Sequence, residues 1–319
     1  MNILVTGGAG FIGSRIVDEL LKQGHFVKAI DNLSKGEAKN LIDFKENDKF
    51  EFVQGDLLDI GVMLKESADA DMIYHLAAKI GGIGYFHKIP ASLLKDNTQI
   101  TLNVFEAAKE RKIKVVYLSS SMVYEGATKF PVCEEHLAEC ALPTTAYGFS
   151  KLAGEYIAKA YHDEFGVPFV VVRPFNAYGP GELAEDYVGY SHVIPDFVKK
   201  MVQSKNNEIE ILGDGEQTRC FTYVDDLAEG IVLLGMKASN EAFNIGSERE
   251  TKISELAQMI WKIIGKSGDI KLKSVESYKD DVRRRVPNCG KIRERFGWEP
   301  KTPLEDGLKR SVEWLMRHK

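Results

Sequence analysis

The stretch Val5-Thr6-Gly7-Gly8-Ala9-Gly10-Phe11-Ile12-Gly13 limits what this chain can fold into more than any other. It follows an aliphatic run, Ile3-Leu4-Val5. It precedes Phe11 to Gln23, where Ile12, Ile16, Val17, Leu20 and Leu21 recur at helical spacing. A strand, a glycine turn and a helix in that order bring free amides and the positive end of a helix to one point. Only glycine lets the backbone come close enough there to hold a pyrophosphate. The glycines are spaced Gly7-xx-Gly10-xx-Gly13 rather than G-x-G-x-x-G, so the strand–turn–helix context carries the reading. Asp31, at the end of the next aliphatic run, Phe26 to Ile30, is placed to accept hydrogen bonds from an adenosine ribose. Its charge repels a 2′-phosphate, which favours NAD over NADP. Gly7, Gly10, Phe11, Ile12, Gly13, Asp31 and Asn32 are therefore expected around NAD.

The alternation continues. Phe50 to Val53, Met72 to His75, Val115 to Leu118 and Phe169 to Val172 read as strands, with helical patterns around 60–65, 91–109 and 147–165 between them. Short β-branched runs separated by helices predict an α/β fold, a doubly wound parallel sheet of the Rossmann type. After Pro174 the pattern loosens, with helices near 195–203, 224–237 and 253–264 and strands near 209–212 and 242–245. We expect a cofactor domain over 1–175 and a smaller mixed α/β C-terminal substrate lobe over 176–319, with part of 205–250 returning to the first domain. The 319 residues suffice for both without disulfides.

The four cysteines, Cys133, Cys140, Cys220 and Cys289, show no CxxC spacing and read as free thiols, so no structural metal is expected. A net charge of −5 argues against a general nucleic-acid binder. No apolar run approaches the ~20 residues needed to span a bilayer. With a first strand starting at Asn2, the expectation is a cytoplasmic protein without a signal peptide.

Further along the same sheet, Gly55-Asp56-Leu57 is placed to meet an adenine amino group, and Leu76-Ala77-Ala78 offers small residues against which a cofactor can lie. Tyr147 and Lys151 open a helix one turn apart and so share a face. A phenol ordinarily titrates near 10; a neighbouring ammonium and a cationic nicotinamide would favour the phenolate and make Tyr147 a usable acid–base. Lys151 is also placed to hold the nicotinamide ribose. Tyr-xxx-Lys is frequent on helices by chance, and gains weight here only from the glycine turn before it. Ser119-Ser120-Ser121 ends a strand at the ligand edge of a parallel sheet, where a hydroxyl can assist proton exchange or merely cap the strand.

Taken jointly, the glycine turn, the serine run, Tyr147-xxx-Lys151 and Arg173-Pro174-Phe175-Asn176-Ala177-Tyr178-Gly179-Pro180 resemble the extended short-chain dehydrogenases. More narrowly, they resemble the NAD-dependent epimerase/dehydratase family, including UDP-glucose 4-epimerases, that acts on nucleoside-diphosphate sugars. The resemblance implies a bound NAD that oxidises a sugar hydroxyl, often at C4, with Ser120, Tyr147 and Lys151 as the catalytic group. It also implies a sugar-nucleotide site that includes Asn176, Arg219 and, from the run Arg283-Arg284-Arg285, Arg284.

Sugar dehydratases of the family carry an Asp-Glu pair just after the catalytic serine, and decarboxylases a glutamate at the second of those positions. Members that epimerise C3 and C5 usually place a cysteine there. This chain has Ser121 and Met122, which by elimination leaves 4-epimerisation. Ser121 and Lys79 are further expected substrate contacts. The stretch from His75 to Gly84, with Lys79-Ile80-Gly81-Gly82-Ile83-Gly84, looks more like enzymes of GDP-sugars. A 3,5-epimerase, or a net 4-dehydrogenase or reductase on a GDP-sugar, therefore stays open. Lys79 and His87 read equally as substrate contacts or as water-facing. Glu125 stands where the family usually has glycine. A homodimer through the helices at 91–109 and 147–165 is expected, with core packing as the competing use of their apolar faces.

Overall fold

The computed structural model describes residues 1–185, 190–278 and 281–318. Its central sheet is built from β1 (Asn2–Thr6), β2 (Phe26–Asp31), β3 (Phe50–Gln54), β4 (Met72–His75), β5 (Lys114–Leu118), β6 (Phe169–Pro174) and β7 (Glu241–Ile245). They lie in the order β7-β6-β5-β4-β1-β2-β3, every neighbouring pair parallel. The chain winds outward from β1 through β2 to β3, then crosses back to lay β4 on the other side of β1. Beyond the C-terminal ends of β1 and β4 the connections diverge, and the crevice left there is where such sheets bind ligands.

The helices are α1 (Phe11–Lys22), α2 (Ile60–Glu66), α3 (Ile83–Lys88), α4 (Pro90–Lys109), α5 (Ala146–Phe165), α6 (Val193–Gln203), α7 (Val224–Lys237), α8 (Ile253–Ile264), α9 (Gly290–Phe296) and α10 (Leu304–Arg317). Strand side chains alternate between two faces, and both faces are apolar because both are covered. Ile3, Val5, Val116 and Val172 pack against Ile16, Val17 and Leu20 of α1 and Leu227 and Ile231 of α7. Leu4, Ile73, Val115 and Tyr117 pack the other way, against Met63 of α2, Val104 and Phe105 of α4 and Ala158 of α5.

A separate core joins α6, α8 and α10 around Ile209 and Ile211, which lie on a short strand, Glu208–Leu212. Between α6 and α8 the chain returns to the sheet, placing α7 beside α1 and β7 on the free edge of β6. Pro195 falls within the first turn of α6, where its missing N–H costs nothing, and the helix therefore starts earlier, at Val193.

The glycine-rich segment after β4 is not all loop: α3 forms over Ile83–Lys88. The helices α9 and α10 went unread in the sequence. Leu304, Leu308, Val312 and Leu315 make only a narrow apolar stripe on α10, and it gains its partners from the distant α6 and α8.

Candidate active site

The turn from β1 into α1 presses on the backbone beyond β4. Gly7 has φ +69°, and a Cβ there would lie 2.8 Å from the Ala77 amide nitrogen; one at Gly13 would lie 2.1 Å from the Gly7 carbonyl oxygen. Side chains at these places are therefore excluded, and bare backbone faces the crevice. Thr6 tightens the junction: its hydroxyl accepts from the amides of Leu76 and Ala77, each at 3.2 Å.

Asp31 ends β2, its carboxylate accepting from the amides of Ala9 at 3.1 Å and Leu33 at 2.9 Å. Burial raises its affinity for a proton, and those two amides oppose the rise. The Asp56 carboxylate accepts from the Leu58 amide at 3.0 Å and the Asn32 side chain at 3.4 Å. A glycine cradle at a helix N-terminus beside a ribose-height carboxylate fits a dinucleotide. The expected cofactor residues, from Gly7 to Gly13 and on to Asp31, Asn32, Asp56, Leu57, Leu76, Ala77 and Ala78, all line one cleft of about 1130 Å³.

Deeper in the same cleft stand Ser120, Ser121, Tyr147 and Lys151. Ser120 caps a single 3₁₀ turn, Ser121–Tyr124, its Oγ accepting from the Met122 amide at 3.1 Å. Thr145 caps α5 in the same manner, accepting from the Gly148 amide at 3.0 Å. These two caps set Ser120 and Tyr147 side by side on the cleft wall. Ser119 is turned away: its hydroxyl donates to Glu155 at 2.5 Å, and Glu155 holds Arg173 at 2.7 and 2.9 Å in a buried pair.

Lys151 donates from Nζ to the Leu118 carbonyl at 2.8 Å and lies 5.9 Å from the Tyr147 ring centroid. Burial lowers its ammonium to about 8. The sequence led us to expect a phenol activated by an ammonium together with a cationic nicotinamide. In the protein, burial dominates and pushes the Tyr147 phenol upward, against the pull of Ser120 and then of the Arg285 guanidinium. The side chain is only 4 % exposed, and Phe86 of α3 stacks on one face of its ring.

The substrate end is built on a second small sheet. Thr218–Cys220 pairs in parallel with Arg284–Arg285, setting Arg284 beside Thr218 and Arg285 beside Arg219. Paired residues share a face of the pleat. Arg219 and Arg285 therefore face the cleft together, and Arg284 faces outward. Arg284 gives a two-pronged hydrogen bond to Glu250 at 2.8 and 2.9 Å and does not line the cleft. The arginine of the run that reaches the site is Arg285; the alternation of the strand decides it, and the sequence holds no sign of which strand it pairs with.

Burial disfavours the charge on both cleft arginines, and the Arg219 charge adds to the effect at Arg285. Asp281 pairs with Arg219 at 2.8 Å. Two partly desolvated guanidiniums, with Glu125 and Asp281 as the opposing charges at Arg285, give this end of the cleft the planar donors that an anion needs. Asn176, at φ +33°, lines it and donates its amide to the Cys220 carbonyl at 3.2 Å. Lys79 lines the cleft with its Nζ paired to Asp96 at 2.5 Å. His87 stacks on Tyr278, ring centroids 5.0 Å apart, and is not part of the cleft wall. The reading of the sequence missed Phe86 and a His192–Glu182 hydrogen-bonded pair in the cleft wall. An aromatic in a glycine-rich run and a histidine three residues before Pro195 carried no spacing that would mark either.

A parallel sheet whose switch point opens onto such a cradle, with a tyrosine, a serine and an anion seat beyond it, defines a dinucleotide-dependent enzyme. The chain belongs to the NAD dependent epimerase/dehydratase family, whose model matches residues 3–246. NAD is its cofactor. It is 32 % identical over 317 residues to UDP-glucuronic acid decarboxylase 1 of Xenopus tropicalis, covering 99 % of this chain and 72 % of that protein. The structure of UDP-glucose 4-epimerase from Thermotoga maritima with UDP-glucose superposes with a TM-score of 0.88 at 33 % identity, covering 100 % and 99 % of the two chains. UDP-glucuronic acid 4-epimerase from Bacillus cereus, with UDP-glucuronic acid and NAD, superposes at 0.89 with 31 % identity over 100 % of both.

Proposed function

We propose that this enzyme epimerises a nucleoside-diphosphate sugar at C4 through a transient 4-keto sugar. The single observation that carries the reading is the cleft wall beside Ser120 and Tyr147. Ser121 and Met122, which follow Ser120, offer a hydroxyl and a thioether, and neither side chain supplies a carboxylate for dehydration or decarboxylation. NAD supplies the acceptance and return of hydride at C4. Tyr147 takes the C4 hydroxyl proton and later gives it back, with Ser120 holding the oxygen through its own hydroxyl. Lys151 holds the ribose and keeps positive charge behind the phenol. Arg219, Arg285 and Asn176 hold the diphosphate while the sugar turns over.

A second reading rests on the His192–Glu182 pair in the cleft wall, an acid–base couple separate from Tyr147. It fits additional proton transfer on the 4-keto sugar, as in a 3,5-epimerase on a GDP-sugar.

The test is a panel of UDP-, GDP- and dTDP-hexoses and hexuronates, with products resolved by NMR in D₂O and absorbance followed at the NADH wavelength. A C4 epimer free of solvent deuterium, without accumulating NADH, is the expected result. Tyr147→Phe should keep its NAD and lose about 10²- to 10⁴-fold in turnover. Deuterium at C3 or C5 selects the second reading, and release of carbon dioxide or water overturns both.

A further inference from the structure

Glu125 closes the 3₁₀ turn that Ser120 opens, and its carboxylate reaches the N-terminus of the helix that carries Tyr147. Its Oε2 accepts from the Thr144 amide at 2.8 Å, the Thr144 hydroxyl at 3.1 Å and the Thr145 amide at 2.9 Å. Its Oε1 accepts from the Thr145 hydroxyl, which itself caps α5 by accepting from the Gly148 amide. The contact leaves no slack. A Cβ on Gly148 would lie 2.8 Å from Glu125 Oε1 and 2.8 Å from the Met122 carbonyl oxygen.

Ser120 and Tyr147 are thus joined by a bracket running from Ser120 through the turn to Glu125 and on to the cap of α5. We infer that Glu125 is a positioning residue, setting the first turn of α5 so that the Tyr147 hydroxyl meets the Ser120 hydroxyl. The inference rests on the proposed function in taking those two hydroxyls as the proton-transferring pair.

The residue type matters. All four partners are donors, and an ionised carboxylate is the one side chain that only accepts. Glutamine can keep an oxygen toward the Thr144 and Thr145 amides, but its NH₂ then replaces the acceptor of the Thr145 hydroxyl, the group that caps α5. The carboxylate also lies at the positive end of α5, which a neutral amide serves less well. A hydroxyl pair that transfers a proton needs its oxygens within hydrogen-bond reach, and small displacements are costly in rate.

The experiment uses the full-length, NAD-loaded enzyme and the sugar nucleotide turned over best in the panel above. Glu125→Gln and Glu125→Ala are made alone and on the Tyr147→Phe background, with bound NAD and melting temperature measured for each. The expected result is a kcat lower by about 10- to 100-fold, with NAD content retained and KM changed by less than about twofold. On the Tyr147→Phe background, Glu125→Gln should cost less than about twofold more, since it acts through the residue already removed.

A kcat within about twofold of wild type in Glu125→Gln, or a loss that adds fully to that of Tyr147→Phe, overturns the inference. So does a kcat loss that only follows loss of bound NAD. Should Glu125→Ala fail to fold, Glu125→Gln decides alone, and Glu125→Asp, which keeps the acceptors, should recover part of the rate. An enzyme inert toward the whole panel, or a fully active Tyr147→Phe, overturns the proposed function itself, a different result from an active wild type with an unaffected Glu125→Gln.

Discussion

Phe86 lies flat against Tyr147, ring centroids 4.5 Å apart and ring planes 5° from parallel. Phe86 comes from a six-residue helix over the crevice, and Tyr147 from the first turn of α5. The stack keeps water from one face of the phenol and limits its rotation. Removing the planar face while keeping the bulk tests how much this matters. A buried aromatic pair contributes about 0.5–1.5 kcal/mol beyond its area, so Phe86→Leu should lower kcat by up to about tenfold with bound NAD unchanged. Steady-state kinetics with NAD content measured on the same sample would read it; an unchanged kcat means the stack is packing alone.

The arginine run gives a sharper contrast. Arg219→Met and Arg285→Met should each raise KM for the sugar nucleotide about 10- to 100-fold, the scale of a hydrogen bond to a charged group. Arg284→Met should leave KM unchanged, since its guanidinium is taken by Glu250 outside the cleft. Its ion pair is exposed enough that the stability loss should stay below about 1 kcal/mol. If Arg284→Met raised KM and Arg285→Met did not, the strand register would be misjudged.

Lys151 makes stability depend on pH in a stated direction. Its folded ammonium titrates near 8, below the ordinary 10.5. Between those values the unfolded chain holds a proton that the folded protein has released, so stability rises with pH across the window. Lys151→Met has no such proton. Its melting temperature relative to wild type should therefore be highest below pH 8 and fall as the pH approaches 10. Parallel melts at pH 7 and pH 10 check the sign, and a difference that grows with pH refutes it.

The outer face of α5 bears on assembly. Tyr156 is 71 % exposed, Phe149 one heptad earlier is exposed on the same face, and α4 packs alongside. We propose that this helix pair forms the interface of a homodimer. Tyr156→Glu should shift the enzyme toward monomer in sedimentation velocity while leaving bound NAD in place. A wild type that sediments as a monomer at micromolar concentration would sink the proposal.

The cofactor half of the site was legible because its signals are local. The glycines from Gly7 to Gly13 are spaced by the backbone contacts that they alone permit, and Asp31 follows one helix and one strand later. Tyr147 and Lys151 share a helix face by the geometry of the helix itself. The alternation of aliphatic strands with amphipathic helices was enough to imply a parallel sheet covered on both sides. In each case the residues that interact are close in sequence, or repeat with a period that the backbone imposes.

What remained for the tertiary structure involves partners far apart in the chain. Arg285 rather than Arg284 enters the cleft because a two-residue strand pairs in one register with Thr218–Cys220, and a one-residue slip would exchange them. Ser119 is not free to serve Tyr147, because Glu155 claims its hydroxyl. Glu125, an anomaly in the sequence, acquires its four donors only when α5 docks beside the turn after β5. The upward push of burial on the Tyr147 phenol is likewise a property of the packed whole. Sequence determined the local conformations and the cofactor; packing decided which side chains meet, because desolvation and strand register exist only once distant segments have come together.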